Sequence, residues 1–409
     1  MPLSGQALQA AVAGVLAEGE VRHLGLAVSG GSDSMAMLWL ILPWARARGV
    51  ELSAATVDHG LRAGSAAEAA MVGRVCAGAG VGHEVLRWQG GAGPGNLQAR
   101  AREARFALLA DWARGRGIDT VALGHTMDDQ AETVLLRLAR GSGVDGLSGM
   151  ATWRAAGGLR WVRPLLGLRR EDLRAFLRAG GRDWAEDPSN ADDRFDRVKA
   201  RRALALMAPM GIDAEGLAET AARMAMARAA LGHYAGQAVA ALARTECGDV
   251  VLARPGFDLL PEETRLRIVA EAILWVGGGV YRPRFAGLRA ALAGPGRRTL
   301  QGTVLTRTTA AIRVGRELAA LGGVRAAVGA LWDGRWLVEG PEPEAEVRAL
   351  GAGIAALPDW RAAGVPRATL MASPAVWRGQ ALIAAPAAGF GAGWTARIVA
   401  DFGAAAVSH

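Results

Sequence analysis

Cysteine is almost missing. Cys76 and Cys247 are the only two among 409 residues, far apart and with no CxxC spacing. That excludes a disulfide framework and a cysteine-based zinc site, and it fits a reducing cytoplasm. Lysine is scarcer still: Lys199 stands alone among 47 basic residues. No apolar stretch reaches the roughly 18 uninterrupted residues that a bilayer-spanning helix needs. The opening "MPLSGQALQAAVAGVLAEGE" has no basic n-region and contains glutamates, which argues against a secretory signal. A protein without a membrane partner, working in the cytoplasm, is the expectation.

What the chain does have is apolar content, 51% of residues with a mean hydropathy of +0.17. Its length suggests two or three domains, each able to bury a core. The formal net charge is +8. GC-rich coding accounts for much of the arginine, as it does for the 56 glycines and the abundant alanine. The charge is nevertheless uneven, with 13 basic against 8 acidic side chains between 152 and 202. Arginine forks match phosphate geometry, so a polyanionic partner is compatible with the composition.

The first half alternates short apolar runs with helical stretches. Candidate strands are "HLGLAVS" (23–29), "ELSAATVD" (51–58), "HEVLRW" (83–88) and "DTVALGH" (119–125). Helical stretches fall around 34–44, 64–79, 96–117 and 128–140. This βαβα order predicts an α/β fold, a doubly wound parallel sheet covered by helices. Ligands of such sheets bind at the carboxyl ends of the strands. The polar residues Ser29–Ser34, Asp58 with His59, and His125 with Asp128 and Asp129 all sit there.

"SGGSDS" follows the first strand and opens the first helix of the sheet. A turn through Gly30 and Gly31 into a helix beginning near Ser34 leaves backbone N–H groups unpaired at the positive end of that helix. Such a nest binds phosphate, and glycine permits both the backbone angles and a close approach. It is not a Walker A loop, which would carry GK before Ser or Thr, nor the dinucleotide fingerprint, which needs a third glycine. An ordinary turn capped by Ser32 or Asp33 remains open.

The loop has company. "VDHGLR" (57–62), "ARAREARF" (99–106), "GHTMDDQAETVLLRLARGSG" (124–143), "RPLL" (163–166) and "EDPSNAD" (186–192) follow it. "SGGSDS" resembles the pyrophosphate loop of the N-type ATP pyrophosphatases, a Rossmann-like family, and the later motifs resemble the tRNA(Ile)-lysidine synthetases in order and spacing. The resemblance covers about residues 20–202. Weaker similarity runs through "RRTLQGTVL" (297–305) and "VPRATLMASPAVWRGQALIAAP" (365–386).

The resemblance implies a ligase that adenylylates the wobble cytidine of the isoleucine tRNA with a CAU anticodon and then joins L-lysine to it. ATP and Mg²⁺ would be its cofactors, and a homodimer is left open. Chemistry of this kind needs a clamped triphosphate and carboxylates to hold the metal. Asp33 sits where the loop becomes a helix, and Asp129 and Glu132 lie one helical turn apart. Acids of "DDQAET" could equally enrich a helix N-terminus capped by Thr126 or Asp128. ATP contacts are implied for Ser29, Gly30, Gly31, Ser32, Asp33, Ser34, Val57, His59 and His125. The two histidines could also be packed or capping residues.

Arg102 and Arg105 are candidates for phosphate or RNA, Arg102 as part of the catalytic set, with a solvated helix face as the alternative. Asp187 and Asn190 lie in a fixed-turn sequence that the family uses near tRNA and the amino acid. Arg197 and Arg201 keep the charges of the family's next motif, while Val198 replaces its usual asparagine. "GSGVDGLSGM" (141–150) reads as a mobile loop over substrate or as a linker. His23, His83, His233 and His409 have no such placement.

After 202 the texture changes, giving three expected domains: 1–202 catalytic, 203–320 mainly helical and tRNA-binding, and 321–409 a small α+β domain. Met207, Met210, Met224 and Met226 read as core filler. "PEETRLRIVAEAILWV" (261–276) is an amphipathic helix with an acidic first turn, and "RTLQGTVLTRTTAAIRVGRE" is β-like. Trp332, Trp336, Trp360, Trp377 and Trp394 suggest packing more than base stacking. Two other readings stay open: another enzyme of the same ATP family, a tRNA thiolase or amide synthetase, and a nucleotide-binding protein without catalysis. Thiolases of this type generally use active-site cysteines, and neither cysteine here lies in a loop motif.

Overall fold

A computed structural model describes residues 3–60, 64–90, 97–186, 194–279, 281–294 and 296–403. The chain divides into two compact units, Met1–Arg228 and Ala229–His409. The expected borders at 202 and 320 both fall inside these units.

The first unit is built on a six-stranded sheet. Its strands are β1 (His23–Ala27), β2 (Glu51–Asp58), β3 (Gly82–Arg87), β4 (Thr120–Leu123), β5 (Trp153–Ala156) and β6 (Leu159–Val162). The order is β3-β2-β1-β4-β6-β5. All neighbours are parallel except the β5–β6 hairpin. The central strands are apolar and buried, β4 along all four residues, because helices cover both faces.

One face buries α1 (Gly5–Ala17), α2 (Ser32–Arg48), α3 (Ser65–Ala79) and α7 (Arg170–Ala179) through Leu8, Leu38, Val72 and Leu173. The other receives Leu109 and Trp112 of α4 (Leu97–Gly115). Helices α5 (Met127–Ala139) and α8 (Asp196–Met207) pack on each other, with the one-turn α6 (Val144–Leu147) beside α5. Chain order reverses between β1 and β4, so the crevice beyond their carboxyl ends is the topological switch point.

The four expected strands and their helices are present. The β5–β6 hairpin was not anticipated; Gly157 and Gly158 make its two-residue turn with φ of +64° and +75°, as tight hairpins of this hand require. The stretch 141–150 is no free loop. Arg137 Nη1 donates to the carbonyls of Gly146 (2.7 Å) and Gly149 (2.9 Å), and the Gln130 amide exchanges two hydrogen bonds with the Met150 backbone.

Helix α9 (Ala214–Leu242) crosses the border between the units. Two methionines near it correct the sequence reading: Met210 is 70% and Met226 73% exposed, so neither fills a core.

The second unit begins with β7 (Ala243–Glu246), β8 (Asp249–Ala253), α10 (Arg254–Asp258), α11 (Glu262–Gly277), α12 (Phe285–Ala293), β9 (Gly296–Leu300), β10 (Thr303–Arg307) and β11 (Ala311–Arg316). Its antiparallel sheet runs β7-β8-β11-β10-β9. Val250, Leu252, Ile312 and Val314 meet Ile268, Val269 and Ile273 of α11. From 321 onward a separate core forms around Trp332, Trp336 and Trp394 between small antiparallel sheets of four and three strands. These tryptophans are packing residues.

A buried ionic network joins the two halves of this unit. Asp249 Oδ2 accepts from Arg313 Nη1 at 3.0 Å and from the Thr369 hydroxyl at 2.5 Å. Arg335 Nη1 donates to the Gly248 carbonyl at 2.9 Å, and Arg316 grips Asp333 with two nitrogens. Removing one member leaves a poorly solvated charge, which costs about 3–5 kcal/mol. Asp249→Ala is therefore expected to lower the denaturant midpoint of the second unit, and Asp249→Asn to lower it less. Equal midpoints for wild type and the alanine variant would show that the network holds nothing.

Candidate active site

After β1 the chain turns through Ser29, Gly30 and Gly31 into α2. Gly30 has φ +90°, a backbone conformation that side-chain-bearing residues rarely adopt. The N-cap is Gly31, so no side chain caps the helix. Ser32 and Asp33 bond to each other, Ser32 Oγ donating to Asp33 Oδ1 at 3.0 Å. The capped-turn alternative is thus not what forms, and α2 begins at Ser32, two residues before the expected start. Ser34 Oγ braces the turn, accepting from Ser29 N at 3.1 Å and donating to the Gly31 carbonyl at 3.0 Å. Bare amides at a positive helix end make a seat for phosphate.

The end of β4 closes in from the neighbouring strand. A Cβ on Gly124 would lie 3.1 Å from Ser34 Cα and 3.2 Å from its nitrogen. Any side chain here would require the Ser34 backbone to give way by a few tenths of an ångström.

Thr126 caps α5 and shares a capping box with Asp129: Thr126 N donates to Asp129 Oδ2 at 2.9 Å, while Asp129 N donates to the Thr126 hydroxyl. Asp128 Oδ2 accepts from Arg170 N at 2.7 Å and so caps α7. The capping role considered for these acids is real, and it does not exhaust them. Asp129 Oδ1 still faces the crevice with Asp33 and Glu132.

Those three carboxylates meet around one guanidinium that sequence reasoning missed. Arg170 Nε donates to Asp33 Oδ2 at 2.9 Å, Nη2 to Asp129 Oδ1 at 3.1 Å, and Nη1 lies 3.6 Å from Glu132 Oε1. Arg174, one turn on, reaches the Ser32 hydroxyl at 3.4 Å and Glu186 at 3.3 Å. From α8, Arg201 Nε donates to Glu132 Oε1 at 3.0 Å and Arg197 Nη1 stands 3.8 Å from Asp129. Val198, next to Arg197 in sequence, is buried, so losing the family's asparagine does not remove Arg197 from the site.

Burial pushes the Asp33 and Glu132 carboxyls up against the pull of their arginines. Burial also acts on Asp129, but Arg170 and the Thr126 N–H outweigh it and hold that carboxyl below its usual range. Glu132 is 1% exposed, and its Oε2 has no hydrogen-bond partner among the described residues. An oxygen set of this kind suits a hard cation. Among the described residues no group of three or more His, Cys, Asp or Glu side chains is arranged to hold a metal ion by itself. An ion here would take its other oxygens from phosphate and water, as magnesium commonly does.

His59 and His125 also border the crevice. Burial holds His59 below its usual value and pushes His125 down to about 3. The Nδ1 of each is buried without a partner among the described residues. Arg105 acts electrostatically on both and has no carboxylate within ion-pair distance among the described residues. Arg102 is placed differently: it is exposed on α4, its guanidinium 5.7 Å over the Phe106 ring. Val57 is half-buried on β2, next to Thr56, whose hydroxyl donates to the Val28 carbonyl just before the loop. Asp187 and Asn190 lie outside the described residues.

Neither cysteine belongs to the crevice. Cys76 is buried in the α3 face of the core with its thiol pushed up to about 11, and Cys247 lies in the second unit with its thiol also raised by burial.

Residues 5–207 match the family model described as a PP-loop domain. The chain is 50% identical over 396 residues to a tRNA(Ile)-lysidine synthase of Ruegeria pomeroyi, covering 95% of this chain and 94% of that one. It is 43% identical over 261 residues to the tRNA(Ile)-lysidine synthase of Bradyrhizobium diazoefficiens, covering 62% and 72% respectively.

Two outcomes follow from this geometry. Arg170→Ala leaves three carboxylates facing one another, so it is expected to cost about 3–5 kcal/mol of stability. Asp33 and Glu132 are already raised, and without the guanidinium they rise further. The deficit against wild type should therefore shrink as pH falls into the carboxylate range, and an unchanged melting curve would sink the hub. His125 stays neutral down to about pH 3, so its ring resonances are expected to stay still between pH 5 and 8 by NMR.

Proposed function

The chain belongs to the tRNA(Ile)-lysidine synthase family, and from that premise we propose that it converts the wobble cytidine of the isoleucine tRNA with a CAU anticodon to lysidine. The cytidine C2 oxygen attacks the α-phosphorus of ATP, the α–β bridging bond breaks, and pyrophosphate leaves. The ε-nitrogen of L-lysine then bonds to C2, the C2–O bond breaks, AMP leaves with that oxygen, and the nitrogen gives up a proton. Because the nucleophile is an external amine, no cysteine or lysine of the protein is needed in the site.

The observation that carries this reading is the meeting of an uncapped glycine turn with three carboxylates at the switch point of the sheet. The bare amides of Gly31 and the first turn of α2 receive the departing pyrophosphate. Asp33, Asp129 and Glu132 would hold Mg²⁺, which would neutralise charge on the phosphates. Glu132, raised by burial and with one oxygen unpartnered, is the carboxylate suited to a cation, metal or ammonium. Arg105 faces the same crevice without a counter-charge and is suited to a phosphate oxygen. Neutral His59 and His125 are suited to polar contacts with the nucleotide. Free cysteines support the cytoplasm as the compartment, and no helix among the described residues is long and apolar enough to cross a membrane.

The test is tRNA-dependent incorporation of labelled lysine with ATP. Asp33→Ala is expected to reduce pyrophosphate release by about 10²-fold or more while the far-UV spectrum is kept, since it removes charge stabilisation at the reacting phosphates. Wild-type release by that variant would overturn the assignment. The double change Cys76→Ser and Cys247→Ser is expected to retain full turnover. Loss of turnover in a folded double variant would favour sulfur transfer instead.

A further inference from the structure

His83 carries no signal in the sequence, yet hydrogen bonds across the sheet connect it to the glycine turn. It lies on β3 opposite Ala54, and Thr56 follows two residues on along β2, on the same face. His83 Nε2 is 2.8 Å from the hydroxyl oxygen of buried Thr56, and that hydroxyl donates to the Val28 carbonyl at 2.7 Å. A hydroxyl has one proton to donate. With the Thr56 proton on Val28, only a ring N–H can make the other contact, so Nε2 carries the hydrogen. The chain of donors therefore runs one way, from β3 through β2 to the end of β1. Burial holds the His83 ring below its usual value, which keeps it neutral with a single N–H at neutral pH. A Cβ on Gly73 of α3 would sit 3.3 Å from Nδ1, so the helix backs the ring closely on its other side.

Val28 is where the β1–β2 ladder stops. Its N–H still donates to the Ala55 carbonyl at 2.9 Å, but its carbonyl takes the Thr56 hydroxyl in place of a backbone amide. The next N–H, that of Ser29, donates to the Ser34 hydroxyl at 3.1 Å. One peptide plane is thus held at both ends by side-chain hydroxyls, one from β2 and one from the first turn of α2. Ser34 gives its own proton to the Gly31 carbonyl at 3.0 Å, across the turn. The Val28–Ser29 plane lies directly ahead of Gly30 and Gly31, so its tilt sets where the bare amides beyond them point.

We infer that Thr56 and His83 are positioning residues for the reaction: one hydroxyl proton and one ring N–H fix the tilt of the Val28–Ser29 peptide and so aim the amides of the glycine turn at the pyrophosphate of ATP. The inference rests on the reading above that this turn receives the pyrophosphate, and it adds two residues that touch no substrate. Thr56 acts on the carbonyl directly. His83 acts on Thr56, holding its hydroxyl in the one rotation that presents the proton to Val28. Misplacing donors by a fraction of an ångström weakens both binding and rate, which is why a hydrogen bond on the far side of the strand matters to the phosphate.

The experiment uses the full chain and has two parts. Long-range ¹H–¹⁵N spectra of the wild type at about pH 8, above the ordinary histidine range, read the His83 tautomer, its signals being assigned by their loss in His83→Gln. A protonated Nε2 with a bare Nδ1 is expected, and a protonated Nδ1 overturns the inference. Steady-state kinetics are then compared for Thr56→Val, Thr56→Ser, His83→Phe and His83→Gln. Thr56→Val keeps the side-chain shape without the proton and is expected to raise the KM for ATP on the order of tenfold, while the KM values for tRNA and lysine stay put. Thr56→Ser restores the hydroxyl and should return the KM for ATP close to wild type. His83→Phe should raise it by less than Thr56→Val does, and His83→Gln, which keeps an N–H, should raise it least. A purely structural role would lower the active fraction, and so kcat, with every KM unchanged. That pattern, or a serine variant no better than the valine one, overturns the inference. Failure of the wild-type protein to release pyrophosphate from ATP with tRNA would instead strike the proposed function, and the tautomer would still be read independently of it.

Discussion

Three carboxylates cannot face one another in a buried crevice without a cation among them, and the Arg170 guanidinium meets that requirement. It touches Asp33 at the end of the glycine turn, Asp129 in the first turn of α5 and Glu132 one turn further. Leu173 and Leu177 anchor its helix in the same core as α2. Hydrophobic packing of α7 on α2 therefore delivers the charge that lets the carboxylates converge. The same acids also finish the helices, since Asp128 caps α7 through the Arg170 N–H and Asp129 completes the capping box of α5. Three helix N-termini point at the crevice. Two are satisfied internally, and the third, at Gly31, has no side-chain cap.

Topology makes this convergence possible. Because β1 and β4 are adjacent but their connections leave in opposite directions, both following loops open into one crevice. Close approach of those loops depends on Gly124, whose missing side chain leaves room for the Ser34 backbone. Helix α8 then completes the wall with Arg197 and Arg201. A cation entering from solvent competes with two or three guanidiniums for oxygens already engaged, apart from Glu132 Oε2.

Much of this was legible in the sequence, because the relevant signals are local. The strand, turn and helix around "SGGSDS" are encoded within about twenty residues, as is the acidic start of α5. Arg170 was not legible: its partners are 137 and 41 residues away in sequence, and it stands among many arginines with no spacing to mark it. The β5–β6 hairpin was signalled by adjacent glycines, but its strands are only four residues each. Met210 and Met226 followed helical spacing without being buried, since periodicity places residues on a face and says nothing of whether another element covers it. Val198 was the reverse. It departs from the family's pattern beside Arg197, yet the helix still presents Arg197 and Arg201 toward the acids.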